Sequence, residues 1–529
     1  MFKRSLKDFF FYYKKNFFVN NDKEVKKNMV VKINTATFTG IEGIPINVEV
    51  DINRGLPNFN IVGMADTSIK ESKDRVRSAI INSGFEFPLG KITVNLAPAD
   101  IKKEGALFDL PIAIGILCAT EQIKIEDIKE YVFLGELSLV GELKKVKGAL
   151  PIVVSGIKKE ISNYVIPIEN KNECSMIDKA NIYPFNNLIE VINFLQFKDV
   201  YPYKTNFEKS KKNEERIDFL DVIGQESAKR ALEVAAAGNH NVILYGPPGT
   251  GKTMLAQRVT TILPEITYEE SLECTKIYSV AGYLDEEHGF INERPFREIH
   301  NTSTKIALIG GGRKLLPGEI SLAHNGVLFL DEILEFNKGT LESLRQPIEN
   351  RKIKITRSTG TVEYPCNCML IASLNPCPCS KDICVCTPYE KEKYINKLSR
   401  AFLDRIDIYT SLSKIQYSKI KEGQRGESSK VVRQRINSAR EIQRRRFKKE
   451  NILTNGEMDI NNIMKYCKLD KNSVKFMEKV YKKFNFSTRV YSRILKVSRT
   501  IADLDERENI IEEDLIESLQ YRRFLENIV

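Results

Sequence analysis

The chain has 529 residues, enough for roughly three or four domains. Hydrophobic residues make up 42% and charged residues 29%, a globular composition that excludes a mainly disordered or collagen-like chain. Lys and Arg number 81 against 70 Asp and Glu, a net of +11 that favours an anionic partner through its field. No apolar run reaches the ~18 residues of a membrane span, so no membrane is expected, and four His with no Trp argue against His-rich metal chemistry.

Residues 1–28 read as a basic aromatic extension, with eight Lys/Arg, three Asp/Glu and the run Phe9–Tyr13. The segment is too polar for a secretory signal and lacks a small-residue cleavage site. Met29 follows at once and is a candidate true start; a basic surface helix touching membrane or nucleic acid is the rival reading. Residues 29–198 read as mixed α/β. The β-branched or aromatic runs Val30–Phe38, Ile46–Ile52, Asn58–Val62, Lys91–Leu96 and Tyr131–Leu134 predict strands, and Lys70–Ser83 and Pro111–Thr120 predict helices. Residues 199–216 are polar and charged and read as a linker. A second α/β block spans 217–413, and the tail 414–529 is helical in pattern.

The strongest motif is Gly246–Thr253, GPPGTGKT, between the apolar strand Asn241–Tyr245 and the helix Met254–Leu263. It fits the phosphate-binding loop pattern in its required strand–turn–helix context. Gly246, Pro247, Pro248, Gly249, Thr250 and Gly251 would wrap the phosphates of ATP with backbone amides. Lys252 would reach the β- and γ-phosphates, and Thr253 would bind Mg²⁺. A second buried strand, GVLFLDE at Gly326–Glu332, ends in two acids. Asp331 suits the Mg²⁺ shell and Glu332 suits orienting and polarising the attacking water. Asn375, closing the apolar run LIASLNP, is placed to hold that water in line.

Lys352–Ser358 and Thr361–Pro365 alternate around Thr359-Gly360 and predict a hairpin with Lys352, Lys354 and Arg357 near its tip. Six of the ten Cys fall in Cys366–Cys386 and read as reduced thiols or metal ligands of a cytosolic protein. Cys377, Cys379, Cys384 and Cys386, spaced C-x-C-x4-C-x-C, could enclose one Zn²⁺; free thiols are the alternative. Cys366 and Cys368 read as small buried hydrophobes on the preceding strand. Arg405, in FLDRIDI, suits an arginine finger toward a neighbouring subunit's phosphoryl group, and Arg489, in STRVYSRIL, a second sensor. Lys430–Lys449 carries nine Lys/Arg and one Glu and reads as a long basic helix, either solvated or facing phosphates.

The nucleotide series, with DVIGQESAKRALEVAAAGNHN and PGEISLAHNGVLFLDE, resembles the magnesium-chelatase-like AAA+ ATPases. VRSAIINSGFEFP, ITVNLAPADIKKEGALFDLPIAIGIL, LRQPIE and SRILKVSRTIADL resemble more closely the ComM/YifB group, over about 30–526. The resemblance implies an α/β AAA+ P-loop core with a helical C-terminal lid, preceded by a Lon-protease-like α/β domain. It implies an ATP-driven, homo-hexameric DNA motor of the branch-migration type, serving recombination in natural transformation in the cytoplasm. A positive hairpin facing a ring pore could then grip DNA phosphates; a solvated edge strand is the alternative. A further hairpin or loop is expected within Arg294–Gly312, where RPFREIHN has Asn301 in place of a usual family histidine. Where Lon proteases carry a Ser–Lys dyad, KKEGALFDLP has no Ser and GELKKVKGALP aligns Leu150 with the Lys, so acyl transfer is not expected. A magnesium-chelatase motor subunit and an ATP-dependent protease or chaperone are the competing functions.

Overall fold

The computed structural model describes residues 30–204, 217–285, 289–358, 360–379, 385–415, 421, 426–484 and 486–522. The expected extension 1–28 and residues 205–216 of the expected linker lie outside them, as do Thr359 and Cys384.

The N-terminal part builds two sheets on one apolar core. Strands β1 (Val31–Thr39), β2 (Glu42–Asn53), β3 (Asn58–Val62) and β4 (Lys91–Ala97) form a sheet in the order β1-β2-β4-β3, in which only β3 and β4 run parallel. The first helix spans Thr67–Asn82 and starts earlier than expected because the Asp66 carboxylate caps it, accepting from the Ile69 amide at 2.9 Å. The second, Asp109–Ala119, carries Pro111 in its first turn, where a missing N–H costs nothing. β5 (Tyr131–Phe133) joins a parallel sheet with two strands that sequence patterning did not show: it pairs with β8 (Asn163–Pro167), which pairs in turn with β9 (Asn181–Phe185). Pro184 obscures β9 as a strand, and it is tolerated because β9 lies at the sheet edge. A short antiparallel pair, β6 (Glu136–Leu137) with β7 (Leu143–Lys144), completes this part. The Thr35 hydroxyl donates to the Phe133 carbonyl at 2.8 Å and ties the two sheets together.

The second part holds a parallel sheet of β10 (Val242–Tyr245), β11 (Phe296–Ile299), β14 (Val327–Leu330), β17 (Met369–Leu374) and β18 (Ile408–Ser411), in the order β11-β14-β17-β10-β18. Every residue of β14 and β17 is buried, as continuous apolar runs must be when helices cover both faces. The strand order reverses around β10, so a crevice opens at the carboxyl ends of the strands. Two hairpins branch from this sheet: β12 (Gly310–Gly311) with β13 (Leu316–Pro317), and β15 (Lys352–Arg357) with β16 (Gly360–Pro365). The first lies slightly later than the expected 294–312, because Lys305–Ile309 is helical and the turn follows it.

Helices Ser429–Arg446, Ile460–Tyr466, Lys471–Phe484, Thr488–Leu504 and Glu512–Gln520 form the lid. The basic helix divides by face. Arg433 donates to the Thr261 carbonyl, Arg435 pairs with Glu233 and Glu427, Arg440 donates to the Ala236 carbonyl, and Arg446 pairs with Asp503. Arg433, Arg435 and Arg440 hold the lid to the core and Arg446 ties two lid helices together, while Lys430, Arg444, Arg445, Lys448 and Lys449 are exposed. Arg493 adds a contact between lid and core through Asp407. Burial alone would raise the Asp407 carboxyl, but the Arg493 guanidinium and His240 hold it well below the usual carboxylate range. No helix among the described residues is long and apolar enough to cross a membrane.

Candidate active site

The loop Gly246–Gly251 joins β10 to the helix Lys252–Ile262 at the carboxyl edge of the sheet. Its glycines answer two different demands. A Cβ on Gly246 would stand 2.3 Å from the Leu412 carbonyl oxygen, so the chain can pass β18 only without a side chain. Gly251 sits at φ +87°, a left-handed turn that aims the following amides along the helix axis. Gly249 is left-handed as well, and the Thr250 hydroxyl donates to the Pro247 carbonyl at 2.9 Å, bracing the loop at Pro247 and Pro248.

Lys252 lies buried under this loop. Its ammonium donates to the Gly246 and Pro247 carbonyls, both at 2.9 Å, and to Asn375 Oδ1 at 2.8 Å. Burial pulls this ammonium below the usual lysine range, and the Asp331 and Glu332 carboxylates oppose the shift. Loop carbonyls and one neutral amide hold the cation, so phosphate oxygens can replace them without an acid leaving first.

The acids come from the end of β14, which β17 separates from β10. Thr253 Oγ1 donates to Asp331 Oδ2 at 3.3 Å, so a hydroxyl and a carboxylate converge as hard oxygen donors that fit Mg²⁺. Ser373 orients the pair: its hydroxyl donates to Asp331 Oδ1 at 2.5 Å and accepts from the Glu332 amide at 2.8 Å. Glu332 adopts φ +51°, a strained left-handed turn for a residue with a Cβ, and the Ser373 hydroxyl helps hold it there. The role of Ser373 was not read from sequence, although LIASLNP contained it. Asp331, Glu332, Asn375, Lys252 and Thr253 are thus brought together by β10, β14 and β17.

Arg405 and Arg489 are not brought there. Arg405 precedes β18, whose Ile408 pairs with Val242 at the start of β10, whereas the phosphate loop follows the end of β10. Four strand residues, about 13 Å, separate the two edges. At its own edge Arg405 is nearly buried and donates to the Arg345 carbonyl at 2.9 Å, the Ala401 carbonyl at 2.5 Å and Glu349 Oε2 at 2.5 Å. Arg489 reaches the other oxygen of the same carboxylate, Oε1, at 3.4 Å.

In the β15–β16 hairpin, Ile353, Ile355, Val362 and Tyr364 face the core, while Lys352, Lys354 and Thr356 face out. Only Arg357 stands at the tip, opposite Gly360. Lys352 corrects the sequence expectation: it begins the strand, about 17 Å from Arg357, and pairs with Glu363 at 3.2 Å. Sequence reading also missed Arg313 and Lys314, exposed in the turn between β12 and β13. The Arg357 guanidinium lies against Gly311, so the two hairpins meet as one basic patch.

Cys377, Cys379 and Cys386 bring their sulfurs within 4.8 Å of one another just after Asn375. Cys377 Sγ stands 3.0 Å from Cys379 Sγ and 3.2 Å from Cys386 Sγ. Cys366 and Cys368 fall in the connection after β16 rather than on a strand; Cys366 is buried and Cys368 partly so. In the N-terminal part, the segments KKEGALFDLP and GELKKVKGALP line one cavity of about 400 Å³ against the core. They contribute Lys102, Lys145 and Lys147 to it but no serine, and Leu150 is buried elsewhere. Lys147 donates to the Ala281 carbonyl at 3.2 Å, so this lysine helps join the two parts.

A parallel sheet with a phosphate loop, a β14 acid pair and an asparagine closing β17 defines a P-loop ATPase of AAA+ architecture. The family described as "Magnesium chelatase, subunit ChlI" matches residues 218–420, "Subunit ChlI of Mg-chelatase" matches 48–170, and "Magnesium chelatase, subunit ChlI C-terminal" matches 426–522. The chain is 41% identical over 493 residues to the competence protein ComM of Haemophilus influenzae, covering 91% of this chain and 95% of that one. It is 42% identical over 496 residues to the protein YifB of Escherichia coli, covering 93% and 96%. The chain therefore belongs to the ComM/YifB family of magnesium-chelatase-like AAA+ ATPases.

Proposed function

We propose that this protein is a cytoplasmic ATP-driven DNA motor, a homo-hexameric ring that migrates branched DNA in recombination during natural transformation. The observation that carries the reading is the basic patch where the two hairpins meet, Arg313, Lys314 and Arg357, with Lys354 on the outer face of the same hairpin, on the chain that also holds a full set of hydrolytic residues. The relative named as a competence protein supports the setting. The N-terminal part serves as a Lon-like binding or assembly module without peptidase chemistry, since the two segments that would carry the dyad bring lysines but no serine to its cavity.

In hydrolysis, the loop amides and Lys252 bind the phosphates. Glu332 orients a water and accepts its proton, and Asn375 holds the water in line. Thr253 and Asp331 would hold Mg²⁺, which when bound screens the phosphate charge. Arg405 and Arg489, a strand's length from their own chain's loop, serve the nucleotide of the next subunit. The thiols of Cys377, Cys379 and Cys386 fit one face of a tetrahedral zinc site, with Cys384 as the fourth donor expected from sequence.

The test is ATPase activity measured without DNA and with single strand, duplex and four-way junction. Stimulation by DNA, greatest with the junction, is the expected result. A rate indifferent to all DNA would remove the motor reading and return the magnesium-chelatase or chaperone alternatives.

A further inference from the structure

Arg405 and Arg489 belong to different elements, one before β18 and one on a lid helix, yet their guanidiniums meet on the two oxygens of Glu349. Glu349 lies on the short helix Arg345–Asn350. Arg405 grips that helix twice, through the Arg345 carbonyl and through Glu349. After Asn350 the chain turns at Arg351, at φ +55°, and enters β15 of the basic hairpin at Lys352. The Arg351 carbonyl accepts from the Cys366 amide at 2.9 Å and closes the hairpin's base. One carboxylate thus stands between two arginines and the strand that leads to Arg357.

We propose that Glu349 is a positioning residue that holds Arg405 and Arg489 as one unit and couples that unit to the basic hairpin. This rests on the trans-acting role given to the arginines above. A carboxylate and a terminal phosphate compete for the same guanidinium N–H donors. Arg489 is the looser partner, at 3.4 Å and with its side chain 47% exposed, and Arg405 the fixed one at 9%. As the arginines turn to a neighbour's phosphate, their hold on Glu349 weakens, and the helix Arg345–Asn350 can shift with the hairpin it feeds. By reciprocity, DNA on the hairpin alters how well the arginines are presented.

Glu349→Gln keeps the shape and removes the charge. Its expected effect is a fall of about tenfold in DNA-stimulated kcat, the scale of one lost charge-assisted contact. KM for ATP should stay within about twofold, because the phosphate loop is untouched. Glu349→Asp should recover part of the loss, and both variants should melt near the wild-type temperature. In an Arg405→Ala background, Glu349→Gln should cost nothing further, since it acts through that arginine. Wild-type kcat and DNA stimulation in Glu349→Gln, or losses that add fully in the double variant, would overturn the proposal. An inactive Arg405→Ala beside a fully active Glu349→Gln removes this inference alone; a fully active Arg405→Ala removes the finger reading and this one with it.

Discussion

Replacing Arg405 by Ala separates a structural arginine from one that acts across a subunit boundary. The side chain is 9% exposed and has three acceptors, the Arg345 and Ala401 carbonyls and Glu349. Glu349 is exposed enough to recover water, but the two carbonyls lose partners, costing about 3 kcal/mol together. For a unit of this size that lowers the melting temperature by about 6–12 °C, leaving the protein folded at 25 °C. Loss of a finger should instead lower hydrolysis by about 10³-fold, far beyond what that destabilisation explains. Lys252→Ala subunits fail differently: they lack the phosphate ammonium but retain Arg405. In a random equal mixture, about a quarter of head-to-tail interfaces pair an intact loop with an intact finger. The assay is steady-state phosphate release across mixing ratios, with ATP binding by each variant and co-assembly checked separately. Activity should rise from near zero to a maximum of about a quarter of wild type if interfaces act independently. Co-assembled mixtures inactive at every ratio would refute the trans role and leave Arg405 as the anchor of the helix Arg345–Asn350.

Glu332→Gln should bind ATP and hold it unhydrolysed, whereas Lys252→Ala should fail at binding; nucleotide retention on a filter measures both, and wild-type turnover by Glu332→Gln would contradict its assignment. Lys354→Ala with Arg357→Ala should lower the slope of log affinity against log salt by about 2, read by DNA titration at several salt concentrations; an unchanged slope makes the patch a solvated edge. Protein purified without added metal should contain about one zinc per chain by elemental analysis, and Cys377→Ser with Cys386→Ser should release it and lower ATPase activity; a metal-free, fully active protein leaves the thiols as bystanders. Lys496, whose ammonium donates to the Gly456 carbonyl at 3.3 Å, has its pKa pulled down to about 8 from 10.5, mainly by burial. Between those values the unfolded chain keeps a proton that the folded chain has lost, so this group adds stability as pH rises, by at most about 3 kcal/mol. Lys496→Met should lack that gain and be the more stable protein at pH 7; urea midpoints that run parallel for both proteins from pH 7 to 10.5 would contradict the burial argument.

The phosphate loop could be read from the sequence because its chemistry is local. Eight consecutive residues supply the turn, the amides and the cation, and the flanking strand and helix are apolar enough to announce themselves. Asp331, Glu332 and Asn375 were legible for a related reason, since each ends a buried apolar run and parallel strands deliver their ends to one edge. Ser373 was not, because its value lies in two hydrogen bonds to a neighbouring strand's end. β8 and β9 escaped because each has only five residues and carries a proline. Lys352 was misplaced because alternation gives a strand's faces but not the height of a residue above its base. The Glu349 carboxylate is the extreme case, since its two partners come from a connection before β18 and from a distant lid helix.

The sheet separates the two halves of the proposed chemistry in a way that constrains assembly. Phosphate-binding groups lie at the carboxyl edge of β10, β14 and β17, and the paired arginines lie at the amino edge of β18. One chain cannot fold these edges onto each other, because a parallel sheet with both faces covered does not bend back across a strand's length. A two-fold dimer built on one of these edges alone would juxtapose two loops or two arginine pairs and leave both incomplete. A head-to-tail contact between opposite edges sets one chain's arginines against the next chain's phosphates, and such contacts close as a ring or continue as a filament. On the proposed reading, ATP lies at every such contact, and Glu349 lies between that contact and the hairpin. Hydrolysis at one boundary then reaches DNA through the subunit that supplies the arginines rather than only through the one that binds the nucleotide.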